Sequence, residues 1–378
     1  MKVGVLRETL PGESRVALVP ESLPKLTAQK IDVIVQADAG EAAGFPDETY
    51  EAKGASVAQD PISLLSQCEV VLKVRPPLAD EVNCLKPGTV LISFLYPAAH
   101  LDTIKQLASR KISAFAMDLM PRISRAQPMD ALSSQATVAG YKAVLLAAES
   151  LPRFFPMLMT AAGTIPPAKV FVIGAGVAGL QAIATARRLG AVVEAYDVRP
   201  VVKEQIESLG ARYVSMDLEA EDAEDKGGYA KAQSEEFYRR QQEFLAKQCQ
   251  GSDVVITTAL VPGSRAPLLI TEEAVKGMRT GSVIVDLAAE QEGNCACTEP
   301  GKTAVVHGIT IHGPLNLPST LAPHASQMYA RNVTSFLSQM VKDGVLNLNL
   351  TDELIKGPLV THDGQIVHEP TRLSAEKV

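Results

Sequence analysis

The sequence predicts an α/β fold in which two doubly wound domains are separated by a cleft and joined by long helices. Apolar strand-like runs alternate with amphipathic helical patterns over residues 1–120 and again in the second half of the chain. This alternation is typical of parallel sheets that are covered by helices. Two longer helical patterns, 131–151 and 325–342, lie where the two sets meet. The expected domains are 1–132 plus 322–378, and 133–321.

The first set predicts a sheet that carries no glycine-rich turn. Its buried strands are expected at residues 3–6, 32–35, 70–74, 90–94 and 112–117. Its helices are expected at residues 20–29, 47–53, 62–67 and 101–110. The helix at 325–342 is expected to return the chain to this domain. Near the C-terminus, Asp363-Gly364 between apolar flanks predicts a hairpin.

A polar stretch, residues 120–135, precedes the long helix at 131–151. It reads MPRISRAQPMDALSSQ, and Pro121 and Pro128 are expected to break it into a loop. A polar loop ahead of a long helix indicates a crossover between domains, and ligands commonly bind in the cleft between two α/β domains. The alternative is a solvated linker, since loops are generally polar.

The stretch 167–200 carries the most informative pattern in the chain. An apolar strand at 170–173 runs into a G-x-G-x-x-G turn, then into a helix that Gly190 ends, and a second strand at 191–196 delivers Asp197. The turn consists of Gly174, Ala175, Gly176, Val177, Ala178 and Gly179. Strand, glycines, helix, strand and acid in this order form the fingerprint of a Rossmann-like dinucleotide-binding domain.

Each glycine of this turn has a physical reason. Gly174 allows the tight turn from strand to helix, Gly176 lets a pyrophosphate approach the backbone, and Gly179 lets the helix lie close to the sheet. The helix N-terminus offers free N–H groups and a positive dipole end to the phosphates. The alternative is a sharp turn that binds no ligand.

Asp197 indicates which dinucleotide binds. It follows Gly174 by 23 positions, about where a carboxylate accepts hydrogen bonds from an adenosine ribose. A carboxylate repels a 2′-phosphate, so Asp197 favours NAD over NADP. Arg199 is the opposing signal, because a nearby arginine can accept that phosphate.

Two further segments are candidates for covering a bound cofactor. An acidic run at 217–225 is followed by Gly227-Gly228-Tyr229 and a charged helix at 235–248, which suggests either a mobile lid or an idle insertion. A strand at 254–257 ends in Thr258-Ala259-Leu260-Val261-Pro262-Gly263, a loop expected to lie over the cofactor. Later strands are expected at 282–286, 303–306 and 310–311.

The bulk composition is that of an ordinary globular chain. Its 378 residues are 46% hydrophobic and 21% charged, with a net charge of −7. No Lys/Arg-rich run stands out, so nucleic acid is not an expected partner. No apolar run reaches the roughly 20 residues that span a bilayer, so direct membrane insertion is not expected. The 5 scattered cysteines fit a reducing compartment, and Cys295-Ala296-Cys297 is expected to be structural.

Few residues are candidates for substrate chemistry. The 6 histidines form no metal-ligand pattern, and no G-x-S-x-G motif occurs. Arg15 and Lys73 are candidate anion-binding residues of the first domain. His100 is a candidate general base, although an ordinary surface histidine is the simpler interpretation. A nicotinamide cofactor would bring its own hydride chemistry, with the protein supplying orientation.

Four stretches make the interpretation specific. The chain contains MPRISRAQPMDALSSQ, TAAGTIPPAKVFVIGAGVAGLQAIATARRLGA, GGYAK and VITTALVPG. Together they resemble the NAD(H)-binding component, domain I or the alpha subunit, of proton-translocating nicotinamide nucleotide transhydrogenase. The similarity covers essentially the whole chain and extends more weakly to alanine dehydrogenase.

The comparison with alanine dehydrogenase is informative at four positions. Arg15 in GESRVAL and Lys73 in VVLKV resemble the substrate-binding arginine and lysine of that enzyme. Its catalytic histidine falls on Tyr96 in ISFLYP, and its catalytic aspartate falls on Glu290 in VDLAAEQEG. Both departures argue against alanine oxidation and fit a protein with no substrate of its own.

The transhydrogenase resemblance implies a reaction and a set of partners. Hydride would pass directly from NADH on this chain to NADP⁺ on a separate domain III, and a membrane domain II would couple the step to proton translocation. The chain would bind NAD(H), while NADP(H) would stay on the partner. A homodimer is implied, located in the cytoplasm and attached peripherally to the membrane through its partner subunits.

The resemblance also implies roles for residues near the reacting ring. Gln127 would lie near the nicotinamide, and Arg122 and Asp130 would fix its loop. Ser133 would hold the carboxamide or the neighbouring ribose. Tyr229 would belong to a mobile loop that closes on the nucleotide.

The other implied contacts surround the rest of the nucleotide. The adenosine ribose would be surrounded by Asp197, Val198 and Arg199, and Val177 would lie at the pyrophosphate turn. Further lining positions are Gly228, Gln241 and Leu260, with Ala259 beside Leu260. Two other classes stay open: an alanine dehydrogenase-like amino-acid oxidoreductase, and a non-enzymatic NAD(H) sensor that signals through residues 216–230.

Overall fold

A computed structural model describes residues 1–216, 234–260 and 265–376. These residues divide into two compact units, Met1–Gln135 with Pro318–Val378 and Ala136–Leu317. The boundaries lie within a few residues of 132/133 and 321/322, the limits expected from the sequence. The acidic run 217–225, Gly228 and Tyr229, and residues 261–263 of the cofactor loop lie outside the described residues.

The strands and helices of the first 135 residues alternate along the chain. The strands are β1 (Lys2–Val5), β2 (Asp32–Gln36), β3 (Ser56–Ala58), β4 (Val70–Leu72), β5 (Val90–Ser93) and β6 (Ser113–Ala116). The helices are α1 (Leu23–Ala28), α2 (Asp47–Glu51), α3 (Pro61–Gln67), α4 (Ala79–Cys84) and α5 (Leu101–Ser109), and the long α6 (Ala131–Ser150) follows.

The middle of the chain continues the alternation after a short hairpin. Its strands are β7 (Leu158–Thr160), β8 (Gly163–Ile165), β9 (Lys169–Ile173), β10 (Val192–Tyr196), β11 (Arg212–Tyr213), β12 (Val254–Thr257), β13 (Val283–Asp286), β14 (Thr303–Val306) and β15 (Ile309–His312). Its helices are α7 (Val177–Arg188), α8 (Lys203–Ser208), α9 (Glu235–Gln250) and α10 (Glu272–Lys276).

The C-terminal segment returns to the first unit. It contains α11 (Ala322–Met340), β16 (Val341–Lys342), β17 (Val345–Leu346), α12 (Glu353–Lys356), β18 (Leu359–His362), β19 (Gln365–Ile366) and α13 (Glu369–Glu376). The predicted hairpin at Asp363-Gly364 is present between β18 and β19, and both turn residues have positive φ, 47° and 84°.

Each unit is built on one largely parallel sheet. The first has the strand order β19-β18-β6-β5-β4-β1-β2-β3, and the second has β11-β10-β9-β12-β13-β15-β14. Only β18, β19 and β14 join by antiparallel pairing among the described strands of these two sheets. The order reverses between β4 and β1 and between β9 and β12, and such switch points are where open α/β sheets bind ligands. The α/β, doubly wound fold class is therefore confirmed.

Several elements differ from the sequence prediction. The helices α4 and α10, the strand β3 and the hairpin β7–β8 were not predicted, because each is too short to show a clear hydrophobic period. The stretch 120–135, predicted as a loop, forms a 3₁₀ helix at Ser124–Met129 before α6 begins. The helix predicted at 325–342 begins at Ala322 and ends at Met340, since Val341 and Lys342 pair with β17.

Among the described residues, no helix combines the length and apolar character needed to cross a membrane.

Candidate functional site

The glycine turn of the second unit has the geometry expected of a phosphate-binding turn. Gly174 has a φ of 97°, and a Cβ on it would lie 2.5 Å from Thr258 Oγ1. A Cβ on Gly179 would overlap the Gly174 carbonyl oxygen, so only glycine lets α7 begin this close to β9. A Cβ on Gly176 would meet no atom within 4 Å among the described residues. The backbone at Gly176, immediately before α7, therefore borders open space that a phosphate group could enter.

Asp197 lies at the carboxyl end of β10 and is bonded to the glycine turn. Its Oδ2 accepts from the Ala175 N–H at 2.7 Å, and Arg199 donates from Nε and Nη2 at 2.9 Å each. Both side chains are largely buried. In the sequence, Asp197 favours NAD, whereas Arg199 could accept the 2′-phosphate of NADP. In the structure the two side chains form a bidentate ion pair with each other. A ribose hydroxyl that reached Asp197 would share the carboxylate with this guanidinium.

The segment after β12 lies against the same turn. Thr258 Oγ1 donates to the Gly174 carbonyl oxygen at 3.1 Å, and the carboxyl end of β12 is next to that of β9 in the sheet. Ala259 and Leu260, the predicted lining residues, follow directly and are half-buried. The structure thus brings together the glycine turn, Asp197, Val198, Arg199 and the Ala259–Leu260 segment at one edge of the sheet.

Gln241 supports this edge from α9. It is buried, and its Nε2 donates to the Tyr196 hydroxyl at 3.0 Å. Tyr196 is the last residue of β10, and burial raises the pKa of its hydroxyl to about 12, so it stays protonated at neutral pH. Gln241 is therefore attached to the strand that delivers Asp197.

The predicted nicotinamide loop lies in the first unit. Arg122 and Gln127 are exposed, and Gln127 lies on the 3₁₀ helix at Ser124–Met129. Asp130 caps α6, because it accepts from the Ser133 N–H at 2.9 Å and from the Ser133 hydroxyl at 2.5 Å. The hydroxyl predicted to hold the nucleotide therefore already donates its proton to Asp130.

Helix α11 and the C-terminal segment anchor this loop. Asn332 Nδ2 donates to the Pro128 carbonyl oxygen at 2.9 Å, one residue after Gln127. Arg125 forms an ion pair with Asp352 at 2.7 Å. No sequence pattern indicates these anchors, because they join positions more than 200 residues apart.

Arg15 and Lys73, the predicted anion-binding residues, are both buried and paired with carboxylates. Arg15 donates to Glu13 at 2.6 and 2.8 Å and to Gln135 Oε1 at 2.8 Å. Lys73 Nζ lies 2.9 Å from a Glu81 oxygen and 3.5 Å from a Glu8 oxygen. Burial raises the pKa of Glu8 above its ordinary value despite the neighbouring ammonium. The two cations thus have carboxylate partners within the chain.

Tyr96 and Glu290 occupy the positions that were compared with the catalytic residues of alanine dehydrogenase, and each contacts another part of this chain. Tyr96 adopts a positive φ of 43°, and its backbone N–H donates to Asp118 Oδ2 at 3.0 Å. Glu290 is exposed, and its Oε1 accepts from the Asn316 N–H at 2.8 Å. His100, the candidate base, is exposed at the start of α5, and its pKa is lowered by partial desolvation and by Arg75.

The edge described in the second unit has donors suited to the pyrophosphate of a dinucleotide. The N-terminus of α7 supplies N–H groups and a positive dipole end to an anion, and the pair of Asp197 and Arg199 supplies polar groups beside it. Among the described residues, no group of His, Cys, Asp and Glu side chains could hold a metal ion. The donors at this edge suit orientation of a nicotinamide nucleotide rather than bond cleavage.

Comparisons with known proteins agree with this description. The family model "Alanine dehydrogenase/PNT, N-terminal domain" matches residues 4–139, and the corresponding C-terminal domain model matches residues 143–369. The chain is 50% identical to an NAD(P) transhydrogenase subunit alpha polypeptide of Rhodospirillum rubrum, over 97% of this chain and 98% of that protein. It is 32% identical to an alanine dehydrogenase of Halomonas elongata, over 97% of this chain and 95% of that protein.

A solved structure gives the same relationship in three dimensions. A transhydrogenase from Sinorhizobium meliloti superposes with a TM-score of 0.86 at 44% identity, covering 98% of this chain and all of that one. The chain therefore belongs to the alanine dehydrogenase/PNT family and, within it, to the NAD(P) transhydrogenase alpha subunits.

Proposed function

We propose that this chain is the NAD(H)-binding subunit of a proton-translocating nicotinamide nucleotide transhydrogenase, in which hydride passes between NADH here and NADP⁺ on a partner domain. The observation that carries the proposal is the glycine turn, where open space at Gly176 lies at the N-terminus of α7 and beside the Asp197–Arg199 pair. The similarity of the whole chain to transhydrogenase alpha subunits supports it.

The nucleotide is proposed to extend along the edge of the second sheet. Its pyrophosphate would lie over the glycine turn, Gly174 to Gly179, and its adenosine ribose near Asp197, Val198 and Arg199. The proposed lining residues are completed by Ala259, Leu260, Gln241, Gly228 and Tyr229. In the buried ion pair the Asp197 carboxylate offsets the positive charge of Arg199. This supports a preference for NAD(H), because a guanidinium paired with a carboxylate attracts a 2′-phosphate less strongly.

The reaction needs alignment rather than a general base. Bound NADH would supply a hydride, with its electron pair, to the oxidised ring of NADP⁺, and no substrate proton is released. Gln127 is proposed to approach the nicotinamide from its exposed position. The Ser133 hydroxyl oxygen can accept from the carboxamide NH₂ while the same hydroxyl donates its hydrogen bond to Asp130. Arg122 is proposed to help fix the loop, and the rate then depends on holding the reacting atoms about 3–3.5 Å apart.

Partner subunits complete the proposal. A domain III would carry NADP(H), and a membrane domain II would couple transfer to proton translocation and hold this cytoplasmic chain at the membrane.

Self-association into a homodimer is supported by the hairpin β7–β8, whose strands pair only with each other among the described strands. Its neighbourhood exposes Phe154, Met157 and Met159 at 53, 56 and 79%. An isolated hairpin is marginally stable in water, so a partner surface would stabilise it.

Alanine oxidation is the competing function, and a direct assay separates the two. The purified chain is expected to bind NADH more tightly than NADPH, and to show no reduction of NAD⁺ in the presence of L-alanine. Absorbance at the NADH band shows whether NAD⁺ is reduced when L-alanine is present. L-Alanine-dependent NADH formation by the chain alone would contradict the proposal, since Tyr96 and Glu290 would then serve where a histidine and an aspartate act in the relative.

A further inference from the structure

Asn294 is fully buried in the second unit, in the turn that follows β13. Its Nδ2 donates to the carbonyl oxygens of Ala259 and Pro267, both at 2.9 Å, and its Oδ1 accepts from the Ala259 N–H at 3.1 Å. One side-chain amide therefore holds both polar backbone groups of Ala259. It also ties Ala259 to Pro267, a residue further along the same connection.

Asp286 fixes Asn294 in turn. Its Oδ2 accepts from the Asn294 N–H at 2.8 Å and from the Thr298 hydroxyl at 2.7 Å, and its Oδ1 accepts from the Thr257 hydroxyl at 2.8 Å. The carboxylate is fully buried, and a buried polar network whose members are satisfied makes its surroundings rigid. Gly293 permits this arrangement, because a Cβ there would lie 2.6 Å from Asp286 Oδ2.

The held residue lies against the glycine turn. Thr258, its neighbour, donates to the Gly174 carbonyl oxygen at 3.1 Å, and a Cβ on Gly174 would lie 3.3 Å from the Ala259 nitrogen. A shift of Ala259 away from its present position would therefore change the space above the turn where the pyrophosphate is proposed to lie. In this way Asn294 sets the position of a nucleotide-lining segment without itself reaching the surface of the site.

We propose that Asn294 is a positioning residue for NAD(H), which keeps the segment after β12 against the glycine turn through its three hydrogen bonds to Ala259 and Pro267. The inference rests on the proposed NAD(H)-binding function and adds a residue that supports it from the interior. Binding tightness, rather than the hydride step, is the property that Asn294 is expected to control.

The test compares three variants by NADH fluorescence titration and thermal unfolding. Asn294→Ala removes all three hydrogen bonds, and we expect it to raise the Kd for NADH at least ten-fold. Thr298→Val is the matched control, because it removes one hydrogen bond from the same Asp286 carboxylate without touching Ala259 or Pro267. It is expected to lower the unfolding temperature but to leave the Kd within two-fold of the original protein.

Asn294→Asp allows a measurement, the pH dependence of NADH affinity, that would not change if Asn294 had only a structural role. The ionised carboxylate cannot donate to Ala259, but the protonated form can donate one hydrogen bond and still accept from the Ala259 N–H. Burial beside Asp286 raises the pKa of the introduced carboxyl. The NADH affinity of this variant is therefore expected to recover as the pH falls from 8.5 to 6, relative to the original protein at each pH.

Each outcome decides the inference. A folded Asn294→Ala protein with a Kd within two-fold of the original, or equal weakening by Thr298→Val, would overturn it. If Asn294→Ala does not fold, a flat pH ratio for Asn294→Asp would overturn it, as would failure of both variants to fold. Failure of the unaltered chain to bind NADH would instead sink the proposed function, and the positioning role with it.

Discussion

At the scale of single residues, Gly176 and Gly179 lie three positions apart, but an added Cβ would meet different surroundings. At Gly176 it would meet no atom within 4 Å among the residues that the structure describes, and at Gly179 it would collide with the Gly174 carbonyl oxygen. The backbone of Gly176, with φ −73° and ψ −170°, is also accessible to alanine. The two positions therefore separate the effect of ligand access from the effect of folding.

Gly176→Ala is expected to change the free energy of unfolding by less than about 0.5 kcal/mol while weakening NADH about ten-fold or more. Gly179→Ala is expected to destabilise the fold by at least about 2 kcal/mol, because the backbone must move to relieve the contact. Thermal unfolding and NADH titration measure the two effects. Equal NADH affinity in Gly176→Ala would mean that no phosphate lies at this turn.

Asp197→Ala removes the acceptor of the Ala175 N–H and leaves Arg199 without its bidentate partner. We expect NADH to bind about 10–100-fold more weakly, since hydrogen bonds to charged groups contribute about 1.5–3 kcal/mol. Discrimination against NADPH should also fall, because the released guanidinium can attract a 2′-phosphate. The control is Glu194→Ala, on the same strand, which removes an exposed pair with Arg212. Unchanged NADH affinity in Asp197→Ala would show that the acid does not contact the nucleotide.

Sequence patterns predicted which residues form this turn better than they predicted the hydrogen-bond and ion-pair partners of those residues. The roles of Gly174 and Gly179 follow from the fixed spacing of a strand, a turn and a helix, so they could be predicted. The pairing of Asp197 with Arg199 could not be predicted, because residue spacing does not determine how two side chains at a strand end are oriented. Asn294 showed no signal in the sequence, since its hydrogen bonds join segments that are 35 residues apart in the chain.

At the scale of elements, α11 holds the loop that carries Gln127. Asn332 on α11 bonds to Pro128, and the Ala325 carbonyl of α11 accepts from Gln135 Nε2 at 3.1 Å near the start of α6. Two points on the C-terminal side of Gln127 are therefore attached to one helix. Gln127 itself is exposed.

Gln127→Ala is accordingly expected to leave the loop folded and the NADH affinity within about two-fold. It should slow hydride transfer to a partner-bound NADP⁺ by roughly 10–100-fold, because small misplacements of the reacting groups are costly. Single-turnover transfer and NADH titration on the same variant measure the two quantities. A parallel loss of binding and transfer would contradict a role for Gln127 at the nicotinamide.

Long elements were predicted well, whereas several of the short ones were missed. The helix α6 and most strands of both sheets show clear hydrophobic runs or periods, so their positions could be predicted. The six-residue helix α4 and the three-residue strands of the hairpin β7–β8 are too short for a period. The hairpin also carries its apolar side chains outward, against the usual pattern of a half-buried strand.

At the scale of the whole molecule, the exposed apolar hairpin bears on the proposed homodimer. Met159→Lys places a charge on its most exposed apolar residue. We expect it to shift the protein from dimer to monomer, as measured by light scattering, because a charge in an apolar interface is costly. Lys169→Ala, at the exposed start of β9, serves as a surface control. A monomeric unaltered protein, or a dimer unaffected by Met159→Lys, would remove this hairpin from the interface.

The measurement that tests the central claim most directly is hydride transfer between two purified proteins. The chain would be mixed with an NADP-binding domain III from a related transhydrogenase, and reduction of an NAD⁺ analogue by NADPH would be followed by absorbance. The account predicts rapid transfer only when both proteins are present. Transfer by this chain alone, or none with the partner despite tight NADH binding, would contradict it.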